Sequence, residues 1–144
     1  MDAAQALARL ADYFETMTLE SVDRIGDFYA HDARFKDPFN DVRGVPAIRQ
    51  VFHHMFRQVA QPRFIVTERI AGDSSAVLLW QFHFHARFGL RERPQIIHGA
   101  SHLRFGDAGL VVLHRDYWDA AEELYAKLPL VGALMRALAG KLAA

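Results

Sequence analysis

Two aspartates and a histidine are the residues of this chain whose types and spacing suit proton transfer, since a positioned carboxylate is a usual general acid or base. Asp37 stands directly before Pro38 at the end of a predicted strand. His114 and Asp116 lie two positions apart on the last predicted strand. Alternate residues of a strand share one face, so His114 can touch Asp116 and orient its carboxylate. An aspartate before a proline is also a common turn former, which leaves Asp37 a second interpretation.

The first half of the chain is predicted to form helices and one short strand. Hydrophobic periodicity places them as follows: a helix over residues 3–15, a helix from Thr18 to about residue 30, a strand over 33–37 and a helix over 45–58. Thr18 would cap the second helix, with Ser21 or Asp23 as its partner. Pro38 ends the strand because it cannot donate to a sheet, and residues 40–44 are typical of a turn.

After Pro62 the apolar period changes from about 3.6 to 2, which predicts a sheet. The expected strands cover residues 63–70, 75–88, 95–105 and 110–119, with turns at 71–75, 89–94 and 106–109. Three helices followed by an antiparallel meander predict an α+β fold in which a curved sheet wraps around helices.

Alternation along the two longest strands indicates which sheet face is buried. The face expected to pack against the helices carries Ala76, Leu78, Trp80, Phe82, Phe84 and Ala86, then Ile97, Gly99, Ser101, Leu103 and Phe105. The outer face carries Gln81, His83, His85 and Arg87, then His98, His102 and Arg104. The inner aromatic residues either fill a core or form pocket walls.

Four local strings, together with the order of the elements, carry a resemblance to a known family. They are DARFKDP at 32–38, RGVPAIR at 43–49, SHLRF at 101–105 and AG at 108–109. Nearly the whole chain resembles the nuclear transport factor 2-like superfamily, in its branch of SnoaL-like polyketide cyclases and ketosteroid isomerase. The resemblance implies one cone-shaped α+β domain over residues 1–144, a curved antiparallel sheet wrapped around three N-terminal helices. Residues 120–144 would be a C-terminal helical extension, divided at Pro129.

The isomerase side of the resemblance implies roles for three residues. Asp37 stands where the isomerase has its general base, and Tyr13 lies at the separation of its oxyanion-hole tyrosine. Ser101 replaces the neutral carboxylic acid that is the second oxyanion donor there. A hydroxyl is a weaker donor in a dry pocket, so this departure counts against a steroid isomerase.

The cyclase side of the resemblance concerns the last strand. It places His114, Asp116 and Trp118 on the inward side. The His-x-Asp spacing resembles that of the cyclases, in which a carboxylate on this strand serves as acid and base. Asp37 and Asp116 would then approach one cavity from different strands.

Two classes of function fit these residues. The first is a cofactor-independent enzyme without a metal, an isomerase, cyclase or dehydratase that abstracts a proton beside the carbonyl of a small apolar compound. Asp37 or Asp116 would be the base, and Tyr13 and Ser101 would donate hydrogen bonds to a developing enolate. The apolar walls would come from four aromatic residues: Phe52, Trp80, Phe82 and Trp118. The second class is a non-catalytic small-molecule-binding or dimeric interaction module, which the serine at position 101 favours.

The composition of the chain excludes several classes of partner and of chemical site. Seventeen Lys and Arg balance seventeen Asp and Glu, so no net positive charge attracts nucleic acid or an anionic membrane. The absence of cysteine excludes disulfides, thiolate metal sites and cysteine nucleophiles. The longest uncharged apolar stretch, residues 128–135, is far shorter than the roughly 20 residues of a membrane span, and the N-terminus does not resemble a signal peptide. A cytoplasmic protein is therefore expected.

The histidines of the outer sheet face have two interpretations. His83 and His85 share one face as metal ligands do, but no third ligand follows at a recognisable spacing, so no metal is predicted. With His98 and His102 they instead favour a solvated face or a homodimer formed through the outer sheet face.

Overall fold

The helices and strands are taken from a computed structural model, which describes residues 1–88, 90–123 and 129–143. Their bounds are α1 Ala3–Glu15, β1 Tyr29–Lys36, β2 Asp41–Arg43, α2 Val45–Gln58, β3 Ala60–Ala71, β4 Ser75–Phe88, β5 Arg91–Phe105, β6 Val111–Tyr117, α3 Ala120–Glu123 and α4 Pro129–Leu142. Short 3₁₀ helices cover Ser21–Asp27 and Asp107–Gly109.

The strands form one sheet in the order β2-β1-β6-β5-β4-β3. Strands β3 to β6 make the predicted antiparallel meander. The α+β class with a curved sheet and N-terminal helices is confirmed. One feature of that prediction is wrong: the sheet is mixed, because β1 pairs with β6 in parallel and sets Phe35 opposite His114.

The predicted second helix is also wrong, and the pairing of β1 with β6 is again the reason. Only Ser21–Asp27 is helical, as a 3₁₀ helix, and Tyr29 already belongs to β1. Thr18 and Ser21 cap each other, since each backbone N–H donates to the other's hydroxyl at 2.8 and 3.1 Å. Pairing with β6 begins beside this segment, where the N–H of Val111 donates to the carbonyl of Phe28 at 2.9 Å. Sheet hydrogen bonds override the local helical pattern.

Two predicted turns are shorter than expected. Residues 41–43 form β2, and the Arg34 guanidinium on β1 donates to the Asp41 carboxylate at 3.0 and 2.8 Å. This pair holds β2 on the sheet and lowers the pKa of Asp41. Strand β5 includes Pro94, which is tolerated because β6 pairs with β5 only from Ala100 onward. Gly89, in the predicted turn before β5, lies outside the described residues.

Helices α1 and α2 supply the layer that packs on the inner face of the sheet. Their predicted bounds, 3–15 and 45–58, are confirmed. Asp2 and Gln5 form a capping box at the start of α1. On α2, Ile48, Phe52 and Phe56 repeat every four residues and are buried as one stripe.

The strand alternation is also confirmed. Leu78, Trp80 and Phe82 are buried on the inner face of β4, whereas His83 and His85 on the other face are partly exposed. Inward residues of β5 and β6 are placed by the same alternation, which brings their polar side chains to the concave side of the sheet.

The C-terminal segment contains α3 and α4, and α4 begins at Pro129. Residues 124–128 of the predicted C-terminal extension lie outside the described residues. Leu134 and Leu138 on α4 are exposed. None of the helices in the described ranges is both long and apolar enough to cross a membrane.

Candidate functional site

A cavity of about 470 Å³ lies between α2 and the inner face of the sheet. Its apolar lining consists of Phe14, Phe35, Phe39, Val51, Phe52, Met55, Val59, Phe64, Trp80, Phe82, Phe84, Ile97 and Trp118. Its polar lining consists of Asp37, Asn40, His54, Gln58, Ser101, His114 and Asp116. The fold therefore brings eight of the nine site residues predicted from the sequence to one cavity, and Tyr13 is the exception.

The Asp116 carboxylate is held through one of its two oxygens. Ser101 lies directly opposite Asp116 in the β5–β6 pairing, and its hydroxyl donates to Oδ1 of Asp116 at 2.5 Å. Nε2 of His114, two residues earlier on the same face of β6, lies 2.5 Å from the same oxygen. Within the described part of the chain, Oδ2 has no hydrogen-bond partner, and the side chain is 16% exposed. The carboxylate is thus fixed, with one oxygen left to meet a ligand.

Trp80 decides how the serine hydroxyl points. The indole Nε1 donates to Ser101 Oγ at 2.8 Å, and because an indole can only donate, the serine hydrogen is left for Asp116. Gly99 faces Trp80 across β4 and β5. A Cβ at position 99 would come within 2.4 Å of the indole ring, so the glycine gives the ring its place on β5.

His114 is buried in an aromatic shell. Phe35, Phe14 and Phe52 surround it, with ring centroids 4.7, 5.9 and 6.5 Å from the imidazole. Its Nδ1 lies 2.6 Å from the hydroxyl of Tyr29, which stands on β1 and is almost wholly buried. Burial, and secondarily the charge of Asp116, raise the pKa of Tyr29 well above 10, so this phenol stays protonated.

Asp37 lines the cavity, but its carboxylate is already engaged in a turn. Its Oδ1 accepts from the backbone N–H groups of Phe39 and Asn40 at 2.8 and 2.7 Å. The Asn40 side-chain amide donates to both carboxylate oxygens, at 3.1 and 3.2 Å. These hydrogen bonds are those of a turn-forming aspartate before a proline, the second interpretation of Asp37 given by the sequence. Asp37 and Asp116 both line the cavity, and they differ in that only Asp116 has an oxygen with no described partner.

Tyr13 is a structural tyrosine. Its hydroxyl donates to the carbonyl of Ser21 at 2.6 Å, and its ring stacks on Phe28 with centroids 4.0 Å apart. Burial raises the pKa of Tyr13 to about 12. The hydroxyl fixes the 3₁₀ helix to α1 and does not line the cavity.

Polar groups surround the cavity rim. His54 and Gln58 lie one turn apart on α2, both are exposed, and neither has a hydrogen-bond partner among the residues described. Asp37, Asp116 and Trp118 also line a second, shallower depression of about 570 Å³. Lys36 and Arg115 line that depression, whereas the described residues that line the inner cavity include no lysine or arginine.

The outer histidines make local contacts. His83 lies 2.9 Å from the amide oxygen of Gln81, and His98 lies 3.2 Å from Glu123 of α3. Residues 1–88, 90–123 and 129–143 contain no group of three or more His, Asp or Glu side chains that could hold a metal. The homodimer through this face stays a prediction.

The match to a family model covers most of the chain. Residues 10–114 match the SnoaL-like domain. This chain belongs to the SnoaL-like family. The match confirms the resemblance that the four strings carry, and it includes the second half of α1, all of α2 and the cavity-lining strands up to His114. No curated protein matches the sequence.

Solved structures of the same fold are distant in sequence. A Catenulispora acidiphila protein of ketosteroid isomerase-like fold, crystallised with trimethylamine, has a TM-score of 0.70 at 14% identity, covering 87% of this chain and 94% of its own. A candidate SnoaL-like polyketide cyclase of Shewanella putrefaciens has a TM-score of 0.69 at 16% identity, and the match covers 85% of this chain and 95% of the cyclase. AclR of Streptomyces galilaeus, a candidate hydroxylase, has a TM-score of 0.70 at 18% identity, and the match covers 88% of this chain and 99% of AclR. At these identities the likeness shows the fold alone.

Tyr29 is a residue of the site that sequence reasoning missed, and the cavity-lining residues Phe35, Asn40 and Gln58 are others. The helix predicted from Thr18 to about residue 30 includes Tyr29. Its contact with His114 depends on the parallel pairing of β1 with β6, two segments about eighty residues apart, and no local pattern encodes that pairing.

Proposed function

We propose that this chain is a cofactor-independent acid–base enzyme and that Asp116 is its general base, acting on a small, neutral, largely apolar carbonyl compound. One observation carries the proposal: in an aromatic cavity, Ser101 and His114 hold one oxygen of the Asp116 carboxylate and leave Oδ2 with no described partner. A fixed carboxylate with a free oxygen is what proton abstraction from carbon needs.

The proposed reaction begins with a substrate whose acidic C–H bond, next to its carbonyl group, points at Oδ2 of Asp116. The C–H bond breaks, the proton moves to Oδ2, and the electron pair becomes an enolate. Asp116 then returns the proton, either to another carbon of the same enolate or to the alkoxide formed when the enolate carbon attacks a second carbonyl of the molecule. The first outcome is an isomerisation and the second a cyclisation, and in both Asp116 ends in its starting form.

The cavity lining supports a neutral, flat substrate. Thirteen of the twenty lining residues are apolar and the charged ones are the carboxylates Asp37 and Asp116, with no lysine or arginine among the described lining residues. A carboxylate or phosphate substrate would therefore meet like charge and no counter-ion. Aromatic walls favour a ring compound, and His54 and Gln58 at the rim can hydrogen-bond a polar substituent at its outer end.

Asp116 is preferred to Asp37 as the base because of their hydrogen bonds. The turn of Asp37 already occupies both of its oxygens with N–H donors from Phe39 and Asn40. Abstracting a proton with Asp37 would require those donors to be released. Asp116 can accept the proton without losing a contact from Ser101 or His114.

The alternative is a non-catalytic module that binds a small molecule, and one observation favours it. The donors near Asp116 are used within the protein: Trp80 donates to Ser101, Ser101 to Asp116, and Tyr29 lies against His114. Among the described residues, an enolate formed beside Asp116 would not meet the pair of aimed donors that usually stabilises an oxyanion.

Hydrogen exchange separates the two functions. The protein is incubated in deuterium oxide with 2-tetralone and, separately, with 2-acetylcyclohexanone. The proton taken up by Oδ2 of Asp116 is replaced by deuterium from the solvent before it is returned, so loss of the α-hydrogen signal in proton NMR reports the abstraction. Exchange faster than in buffer supports the enzyme. No exchange of either probe, together with a bound small molecule in the native mass spectrum of the purified protein, would replace the enzyme with the binding module.

A further inference from the structure

Tyr29 and His114 form a buried polar pair behind the cavity. The Tyr29 hydroxyl lies 2.6 Å from Nδ1 of His114, and the two residues are 1% and 2% exposed. Tyr29 does not line the cavity, so it cannot touch a ligand there. Its hydroxyl has His114 as its one hydrogen-bond partner in the described part of the chain. Tyr29 can therefore act on the site only through the imidazole of His114.

The hydrogen atoms of this cluster can be assigned by counting donors and acceptors. The Asp116 carboxylate can only accept while it is ionised, so the proton on the imidazole belongs on Nε2, 2.5 Å from Oδ1. The phenol stays protonated, because burial raises the pKa of Tyr29, and Nδ1 is the acceptor within its reach. A doubly protonated ring would leave the buried phenol hydrogen without an acceptor, which is costly in an aromatic shell.

We propose that Tyr29 is a positioning residue: its hydroxyl donates to Nδ1 of His114 and holds the imidazole as a neutral donor to Asp116. The substrate proton then stays on Asp116 and is not passed to His114. The proposal rests on the proposed function only in its effect on turnover, since the state of the ring exists without a substrate. The charged or titratable groups described in contact with His114 are Asp116 and Tyr29, and the described aromatic rings that pack on it from α1, β1 and α2 are Phe14, Phe35 and Phe52.

The first test reads the imidazole directly. Two-bond proton–nitrogen correlation spectra of protein labelled with ¹⁵N-histidine report which ring nitrogen carries hydrogen. At neutral pH the wild-type His114 ring should be neutral, with its proton on Nε2 and with Nδ1 at the position of a hydrogen-bonded acceptor. A proton on Nδ1, on both nitrogens, or a mixture of tautomers would overturn the proposal.

The second test uses matched variants. Tyr29→Phe removes the hydroxyl and keeps the ring, so the Nδ1 resonance of His114 should move toward that of a free acceptor or gain a proton. Tyr13→Phe is the control, because it also deletes a buried tyrosine hydroxyl but one that bonds the Ser21 carbonyl. An Nδ1 resonance unchanged in Tyr29→Phe, or moved equally in Tyr13→Phe, would contradict the proposal.

His114→Gln tests whether a neutral hydrogen-bond donor at position 114 is enough to support Asp116. Glutamine offers an NH2 donor group and a carbonyl acceptor in place of the two ring nitrogens, and it cannot take up a proton at neutral pH. With 2-tetralone as the probe, His114→Gln and Tyr29→Phe should each lower exchange by about tenfold, the rate equivalent of one disturbed hydrogen bond. A folded His114→Gln variant whose exchange is lost as completely as in Asp116→Asn would show that His114 carries the proton.

The two proposals fail in different ways. If wild-type protein exchanges neither probe, the proposed enzyme fails, but the ring spectrum still decides whether Tyr29 holds His114 neutral. If exchange is observed and the ring is protonated on both nitrogens, the enzyme stands and the role of Tyr29 is wrong. If Tyr29→Phe does not fold, the wild-type spectrum and His114→Gln decide the question without it.

Discussion

Ser101 and Asp116 face each other across β5 and β6, and the serine hydroxyl donates to Oδ1 of the aspartate at 2.5 Å. By resemblance to the isomerase, Ser101 would have given its hydrogen to a substrate oxyanion. In this fold the hydrogen goes to the carboxylate, because Trp80 occupies the serine as an acceptor. The position that holds an oxyanion donor in the isomerase instead fixes the aspartate that we propose as the base.

Gly99→Ala should weaken this arrangement without adding or removing a polar group. The new Cβ would lie 2.4 Å from the Trp80 ring, which must move and give up its hydrogen bond to Ser101. We expect a loss of about 1–3 kcal/mol in the free energy of unfolding, typical of overpacking, and a changed tryptophan emission spectrum. Urea denaturation followed by fluorescence measures both. Ala100→Gly on the same strand is the control for a change of backbone, and wild-type emission in Gly99→Ala would contradict the position of Trp80.

Asp37→Asn should affect the chemistry little. The amide oxygen can still accept from the backbone N–H groups of Phe39 and Asn40, so the turn is kept while the negative charge is removed. Asp37→Ala should lower the free energy of unfolding by about 1 kcal/mol through loss of these bonds. Exchange of 2-tetralone measures the first variant and thermal denaturation the second. A loss of exchange by a factor of about 100 or more in Asp37→Asn would make Asp37 the base, as in the isomerase.

Phe82→Ala should be strongly destabilising. The ring is buried between Phe64 and Phe84, with centroids 4.6 and 5.2 Å away, and it forms part of the cavity wall. Truncating a buried phenylalanine costs about 3–5 kcal/mol of folding stability. The neighbouring His83→Ala is the matched control, since His83 lies on the outer face and should leave the melting temperature and the cavity intact. Equal melting temperatures for the two variants would mean that the inner face is misassigned.

The buried tyrosines predict a loss of stability in alkali. The pKa of Tyr13 is about 12 in the folded protein and that of Tyr29 is raised well above 10, whereas both are about 10 when unfolded. A group whose folded pKa is raised contributes stability below its unfolded pKa and loses it as the pH rises further. The urea midpoint should therefore fall as the pH rises from about 10 toward about 12. Tyr13→Phe should show a smaller fall, and an identical fall would contradict the raised pKa of Tyr13.

Local sequence patterns predicted the inward-facing side chains of the two longest strands. Period-two alternation alone turns Trp80, Phe82 and Ser101 inward, and the same rule puts His114 beside Asp116. These residues sit on long strands whose two faces differ in polarity, so the register is strongly specified. The family resemblance then indicated which face of the last strand is the inner one.

Two parts of the site needed the tertiary structure. Tyr29 reaches His114 only through a parallel pairing between distant segments, which overrides the helical spacing around it. Tyr13 keeps the spacing of an oxyanion-hole tyrosine from Asp37, but its hydroxyl finds the nearer carbonyl of Ser21. Spacing along the chain fixes which residues are available, and the competing hydrogen-bond partners decide which of them face a ligand.

The most direct test of the central claim is the α-hydrogen exchange of 2-tetralone by Asp116→Asn compared with wild type. Asparagine keeps the volume of the side chain and can accept from Ser101 or His114, but it cannot take the substrate proton. Asp116→Asn should lower exchange by about 10²- to 10⁴-fold with little change in melting temperature, as for the loss of a positioned base. Exchange at the wild-type rate in a folded Asp116→Asn protein would contradict the assignment of Asp116 as the base.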